Sequence, residues 1–106
     1  MRLLQRIIVY SVYILYSESL DRFYKGQTGN LKDRLFRHNN GREKSTKVGV
    51  PWVLIWTTSK TTRSEAVVLE SKLKNLNRLK TIAFIMKYSE GIRGHDEAAL
   101  LERLRV

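Results

Sequence analysis

The chain has 106 residues, no cysteine and a formal net charge of +10. Its length suits one domain that buries a core without covalent staples. The absence of cysteine excludes disulfides, zinc knuckles and thiol catalysis, and it fits a reducing cytoplasm.

The first element is predicted to be a buried strand. Residues 7–15, IIVYSVYIL, are rich in β-branched and aromatic side chains, as core strands are. Arg2 and Arg6 precede this run as in a signal peptide. However, no small-residue cleavage site follows, and the run is far shorter than the ~20 residues that cross a bilayer. We therefore expect a soluble, cytoplasmic protein that does not bind membranes.

A hairpin and a helix follow. The turn ESLD leads into RFYKGQT, which reads as the returning strand. Asn30 is then the expected N-cap of a helix, and Asp33 suits its first turn. Leu31 and Leu35 lie one turn apart and mark its buried face. Gly41 is the expected stop at its C-terminus.

The second half of the chain is predicted to be mostly helical. After the exposed basic loop GREKSTKVGV, PWVLIWTTS forms a third strand, with the proline at its start. TTRSEAVVLESKLKNL is a helix with Thr62 or Ser64 as its N-cap. RLKTIAFIMKYSEG forms another helix that ends near Gly91, and HDEAALLERLRV forms a short last one. This order predicts an α+β fold with a small three-stranded antiparallel sheet flanked by helices.

The positive charge is concentrated in the middle of the chain. Residues 25–80 carry thirteen lysines and arginines against four acidic residues. By contrast, residues 1–24 have a net charge of +1 and residues 81–106 a net charge of zero. A localised positive field attracts polyanions, of which nucleic acid is the commonest. We therefore favour a nucleic-acid partner over an anionic membrane surface or no partner.

Three residues in this basic segment have side chains suited to phosphate chemistry. Arg34 and His38 are four positions apart and so share one helix face. Arginine offers a fork of donors to phosphate oxygens, and histidine exchanges a proton near neutral pH. Glu70 lies one turn before Lys74, so it either forms an ion pair with it or holds a hard cation such as Mg²⁺.

Two tyrosine motifs resemble those of the GIY-YIG nucleases. SVYIL stands where the first motif of that family belongs, and FYKGQT stands where the second belongs. Tyr13 and Tyr24 are eleven residues apart, Arg34 follows Tyr24 by ten, and His38 follows Arg34 by four. SEAVVLESKLK is similar to the family's metal-binding helix, with Glu70 at the position of its glutamate. HNNGREKSTKVGVPWVLIW resembles a small stand-alone branch related to the nuclease domain of the excision-repair C subunit.

The resemblance, over residues 9–76, implies an endonuclease that cleaves phosphodiester bonds with one Mg²⁺ or Mn²⁺ ion. DNA is expected rather than RNA, with a role in DNA repair. Residues 1–91 would form the nuclease domain, and residues 92–106 a short helix or tail. A protein partner or a homodimer is also compatible with the sequence.

The resemblance also implies roles for individual residues. The expected catalytic residues are Tyr13, Tyr24, Arg34, His38 and Glu70. Glu70 would hold the metal, and His38 would contact phosphate or relay a proton. Tyr13 is favoured as the base and Tyr24 as the residue that positions water, although the motifs leave their order open. The expected nucleic-acid contacts are Lys25, Gly26, Gln27, Arg37, Lys44 and Lys47.

The motifs depart from the family pattern at several positions. Ser11 and Val12 replace the glycine and isoleucine of the first motif, and Lys25 replaces an aliphatic residue in the second. Gln27 stands where some relatives carry a lysine. A second hypothesis is therefore a nucleic-acid-binding module with weak or no cleavage, and a third is an adaptor for an acidic protein.

Overall fold

The computed structural model describes residues 8–105. Its strands are β1 (Tyr10–Ser17), β2 (Arg22–Thr28) and β3 (Trp52–Lys60). Its helices are α1 (Leu31–Asn39), α2 (Arg63–Lys74), α3 (Arg78–Lys87) and α4 (His95–Leu104), with 3₁₀ turns at Lys47–Gly49 and Ser89–Gly91. The predicted α+β fold and its element order are confirmed. Arg2, Arg6 and Ile7, on which part of the first prediction rested, lie outside the described residues.

The sheet has the strand order β2-β1-β3, and both pairings are antiparallel. The central strand β1 places Tyr13 opposite Gly26 of β2 and Thr57 of β3. The register between β1 and β3 shifts between Ile14 and Leu15. A β-hairpin followed by a helix brings the two tyrosine motifs onto neighbouring strands.

Two hydrophobic clusters lie on opposite faces of this sheet, because side chains alternate along a strand. On one face, Val12 and Ile14 pack with buried residues of α2, α3 and α4. On the other, Tyr13 and Leu15 pack with Trp52 and Leu54, and α1 covers them. The helix α1 therefore stands alone on the face that carries Tyr13.

Local sequence signals set the helix ends. The Asn30 side chain accepts a hydrogen bond from the backbone N–H of Asp33 at 3.0 Å, and Thr62 accepts one from Glu65 at 3.1 Å. These contacts satisfy donors that a helix N-terminus leaves free. Gly41 follows α1 with φ of 70°, a conformation that disfavours other residues. The predicted caps at Asn30, Thr62 and Gly41 are all found.

The helix α4 belongs to the same core as the rest of the described chain. Leu101 is buried in the cluster that contains Val12 and Ile14. Just before α4, Ile92 forms a β-bridge with Trp56. The helix α4 thus packs against the sheet together with α2 and α3.

None of the helices in residues 8–105 is long and apolar enough to span a membrane.

Candidate active site

The centre of the candidate site is a buried tyrosine on β1. Tyr13 is fully buried, and its ring lies across Gly26 on the neighbouring strand. A Cβ atom on Gly26 would lie only 2.6 Å from the Tyr13 ring carbon that bears the hydroxyl. The absence of a side chain at position 26 is therefore what lets Tyr13 lie flat against β2.

A chain of hydrogen bonds runs from Tyr13 into α1 and the following loop. The Tyr13 hydroxyl lies 2.9 Å from His38 Nε2, and His38 Nδ1 lies 2.8 Å from Thr46 Oγ1. The Thr46 hydroxyl donates to the Glu43 carbonyl oxygen at 3.4 Å, so it accepts from His38. This pattern assigns the proton to Nδ1 of a neutral His38, whose Nε2 accepts from Tyr13.

Burial and nearby charge keep both rings neutral. Burial raises the pKa of Tyr13 well above its ordinary value, and the nearby Tyr24 and Glu70 add to this, while Arg34 opposes it. Burial also lowers the pKa of His38, with Arg34 and Arg37 acting in the same direction and Glu43 against it. Both shifts favour a phenol that donates to a neutral imidazole.

The second tyrosine faces solvent. Tyr24 is half-buried and meets the His38 ring edge-on, with 5.1 Å between ring centroids. Its hydroxyl makes no hydrogen bond to another residue in the range 8–105, and no buried side-chain polar atom there lacks a partner. The Tyr24 hydroxyl must therefore be open to water, unlike that of Tyr13.

Two arginines of α1 lie beside these rings. The positive charge of Arg34 opposes the rise in the pKa of Tyr13, so its guanidinium lies near the phenol. Arg37 Nε lies 3.0 Å from Glu43 Oε1, and Arg34 Nε lies 3.8 Å from the same oxygen. Both arginines remain about 40% exposed, with side-chain values of 37% and 43%. Their guanidinium groups therefore form a positively charged surface next to Tyr13.

Glu70 approaches the same cluster from α2. Its charge contributes to the raised pKa of Tyr13, which brings it within electrostatic reach of the buried hydroxyl. Its Oε2 also lies 3.3 Å from Lys74 Nζ. Both alternatives raised from the sequence thus persist, because the carboxylate pairs with Lys74 and its charge also reaches Tyr13.

These contacts bring Tyr13, Tyr24, Arg34 and His38 together, and Glu70 lies within electrostatic reach of Tyr13. The model of the GIY-YIG catalytic domain matches residues 9–83, which is most of the chain. The protein belongs to the GIY-YIG family. The fold is therefore a nuclease fold. GIY-YIG nucleases generally depend on a divalent metal.

A solved structure supports the same assignment. The chain is similar to a UPF0213 protein from Bacillus halodurans, solved by solution NMR, with 25% sequence identity and a TM-score of 0.53. The match covers 86% of this chain and 94% of that one, so the small GIY-YIG fold is shared almost end to end. No curated protein is significantly similar in sequence to this chain.

One expected nucleic-acid contact, Lys25, lies on the other face of the sheet in this GIY-YIG domain. Lys25 is next to Tyr24 on β2, so it points to the opposite face of the sheet, where Nζ donates to the Leu76 carbonyl oxygen at 3.2 Å. Burial lowers its pKa. Lys25 therefore ties β2 to the end of α2 and does not line the tyrosine face.

Gly26 and Gln27 differ from expectation as well. Gly26 is buried under Tyr13, so the space that it leaves is filled by a ring and is not open to a substrate. The Gln27 side chain accepts a hydrogen bond from Arg63 at 3.2 Å. Lys44 and Lys47 are exposed on the loop after α1, where a nucleic-acid contact is sterically possible.

Sequence reasoning missed two residues of the site, Thr46 and Glu43. Both had been read as part of an exposed polar loop, yet Thr46 is buried. Trp52 Nε1 donates to the Thr46 carbonyl oxygen at 2.7 Å, which fixes this loop against β3. The only available signal was the short distance along the chain between this loop and His38, and it does not specify a hydrogen bond.

Proposed function

We propose that the protein is a metal-dependent endonuclease that hydrolyses phosphodiester bonds in nucleic acid, with DNA as the preferred substrate. The observation that carries this proposal is the cluster of two tyrosines, an arginine and a histidine on a basic domain, with a glutamate within electrostatic reach of Tyr13. A structural core needs none of these groups to share one surface. A role in DNA repair in the cytoplasm is part of the same proposal.

Arg34 and Tyr24 are proposed to act on the substrate directly. The planar guanidinium of Arg34 would bind oxygens of the phosphate and stabilise the charge that develops on them. Tyr24 has the solvent-open hydroxyl, so it would orient the attacking water and accept its proton. This reverses the order favoured from the sequence, because a buried phenol with a raised pKa is a poor base.

Tyr13 and His38 are proposed to position these groups. The Tyr13 hydroxyl is committed to His38 Nε2 and lies beside Arg34. Both ring nitrogens of His38 are bonded, so the relay role suits it better than direct contact with phosphate. The Tyr13–His38 pair would hold Arg34 in place. It would also pass a proton between its two rings without exposing a charge to solvent.

The donor set fits a hard cation held by one carboxylate. Residues 8–105 contain no cluster of three or more histidine or acidic residues that would form an all-protein metal cage. Mg²⁺ is commonly bound by one or two carboxylates, with water and substrate phosphate completing its shell. Glu70 would supply that carboxylate. The bound ion would neutralise charge on the phosphate and the leaving oxygen.

Metal-dependent cleavage tests the proposal directly. Branched, duplex and single-stranded DNA and matching RNA are incubated with the protein and Mg²⁺, Mn²⁺ or chelator. We expect cleavage of at least one DNA substrate that requires the metal and is lost in Glu70→Gln. Binding to these substrates without cleavage under any of these conditions would contradict a nuclease function.

The ion pair with Lys74 supplies a matched control. If Glu70 acts only through that pair, Lys74→Met and Glu70→Gln should impair the protein equally. If Glu70 holds the metal, Lys74→Met should keep or raise activity, since it frees the carboxylate. Thermal unfolding of both variants separates loss of activity from loss of fold.

A nucleic-acid-binding module with little turnover is the second candidate. The contact between Glu70 and Lys74 favours it, because the proposed metal ligand is already neutralised. This module would bind DNA with a steep dependence on salt and no requirement for metal. It would also tolerate Glu70→Gln without loss of affinity.

A further inference from the structure

An arginine outside the cluster is held rigidly at the start of α2. The Arg63 guanidinium lies over the Tyr10 ring, with its central carbon 4.7 Å from the ring centroid. Its Nη1 also donates to Gln27 Oε1 at 3.2 Å. A long side chain that stacks on one residue and bonds to another has already lost much of its conformational freedom.

The charge of Arg63 is not used within the fold. No acidic side chain lies within ion-pair distance of it in the range 8–105, and the residue is exposed. The nearest candidate along the chain, Glu65, instead accepts hydrogen bonds from Thr61 and Thr62 at 3.0 Å. One of the five N–H donors of the guanidinium is bonded to Gln27, and the others make no hydrogen bond to a residue in the range 8–105.

Arg63 lies at the end of β2, beside the turn that leads into α1. A Cβ atom on Gly29 would lie 3.8 Å from Arg63 Nη2, so the guanidinium lies beside the turn between β2 and α1. That turn joins the strand that carries Tyr24 to the helix that carries Arg34. By strand alternation Tyr10 and Gln27 point to the face of the sheet opposite Tyr13, so nucleic acid bound at Arg34 would reach Arg63 by passing around this turn.

We propose that Arg63 is a phosphate-binding subsite for the nucleic-acid backbone at the turn between β2 and α1, with Gln27 and Tyr10 as its positioning residues. The inference rests on the proposed function for the identity of the ligand. Gln27, expected from the sequence to touch nucleic acid itself, then acts through Arg63. A planar fork presented edge-on suits the oxygens of a phosphodiester and carries no base specificity.

Fluorescence polarisation with a labelled DNA duplex and its single strand, in chelator, tests this subsite without cleavage. We expect Arg63→Ala to weaken binding several-fold and to reduce the slope of log affinity against log salt by about 1. Arg105→Ala is the matched control, since it removes the same charge from an arginine that pairs with Glu102 in α4. It should change neither quantity.

Two further variants separate position from charge. Arg63→Lys keeps the charge, so the salt slope should hold while affinity falls, because lysine lacks the fork. Gln27→Met keeps the length of the side chain but removes the acceptor, and should reproduce part of the loss with no change in charge. Circular dichroism and thermal unfolding show whether any variant has lost its fold.

The proposal is overturned if Arg63→Ala binds like Arg105→Ala, or if the unmodified protein binds neither DNA probe. Its failure is distinguishable from that of the nuclease function. Cleavage that survives Arg63→Ala with unchanged affinity removes only the subsite. Binding that depends on Arg63 in a protein that never cleaves removes only the catalytic activity.

Discussion

Tyr13 and Gly26 face each other across β1 and β2, and the conformation of one depends on the identity of the other. The Tyr13 ring occupies the volume that any side chain at position 26 would need. In this position the Tyr13 hydroxyl lies 2.9 Å from His38 Nε2 and donates its hydrogen bond to that nitrogen. A glycine in the second tyrosine motif is thus explained by packing beneath the site.

Gly26→Ala should destabilise the protein by about 1–3 kcal/mol, as overpacking of a core does, and should displace Tyr13 from His38. Gly29→Ala is the control, because the nearest atoms to its Cβ would be 3.7 Å away, an ordinary contact. Urea unfolding measures both. Equal stability of the two variants would mean that the ring moves aside at little cost.

The buried imidazole should make stability depend on pH. The pKa of His38 is lowered in the folded protein, chiefly by burial, so the unfolded state binds the proton more readily. Its contribution is therefore complete above the unfolded histidine pKa of roughly 6.5, and is lost as pH falls through the lower folded value. Denaturant unfolding between neutral and mildly acidic pH should show this loss, and His38→Gln should flatten it.

At this scale the sequence located the cluster but not its contacts. The resemblance to the GIY-YIG motifs and their spacings identified Tyr13, Tyr24, Arg34 and His38, and in the structure a hairpin and a helix bring these side chains together. The hydrogen bond from His38 to Thr46 depends on how a loop folds back on α1. Burial of the Tyr13 hydroxyl depends in turn on the packing of both. Neither is encoded in local periodicity.

At the scale of elements, strand alternation decides which residues can serve the site. Tyr24 and Lys25 are neighbours in sequence but face opposite sides of the sheet, toward α1 and α2 respectively. The alternation rule was available from the sequence and predicts this separation. The positive charge of residues 25–80 led instead to the prediction that Lys25 contacts nucleic acid. Net charge does not indicate the face of the sheet on which a side chain lies.

Lys25→Met should accordingly leave affinity for a DNA duplex and its salt dependence unchanged. Its partner is the Leu76 carbonyl oxygen at the end of α2, so stability should fall modestly instead. Polarisation titrations beside Lys44→Met, on the exposed loop after α1, supply the comparison. A reduced salt slope in Lys25→Met would return this lysine to the binding surface.

The elements themselves were predicted well because their signals are local. Caps at Asn30 and Thr62 and the break at Gly41 each depend on a few adjacent residues. The two-sided arrangement of the helices was not predictable in the same way. It depends on which face of β1 the hydrophobic side of each helix packs against. Several such arrangements satisfy the hydrophobic pattern of the sequence equally.

At the scale of the whole molecule, α4 completes the core behind the site. Leu101 lies 3% exposed in the cluster that also holds Val12 and Ile14 of the central strand. Those residues alternate with Tyr13 along β1. The helix therefore supports the strand on which the site is built, although it lies on the opposite face of the sheet.

Leu101→Ala should cost about 2–5 kcal/mol of unfolding free energy, as buried leucine truncations do. Leu79→Ala in α3 is the matched control, because that leucine is 72% exposed and should change stability by about 0.5 kcal/mol or less. Chemical denaturation of the pair measures the difference. If the two variants unfold alike, α4 is dispensable to the core.

The contact of Glu43 with Arg37 and Arg34 means that binding of nucleic acid is an exchange of anions. A carboxylate of the protein itself already sits on the guanidinium groups, at an effective concentration set by a short loop. Hydrogen bonding to Arg37 lowers the pKa of Glu43, so this carboxylate stays charged under mildly acidic conditions. Isolated anions should compete poorly, whereas a chain of phosphates that also engages other cations should displace it. Glu43→Gln should therefore tighten binding of inorganic phosphate more than binding of a DNA duplex, which competition titrations can measure.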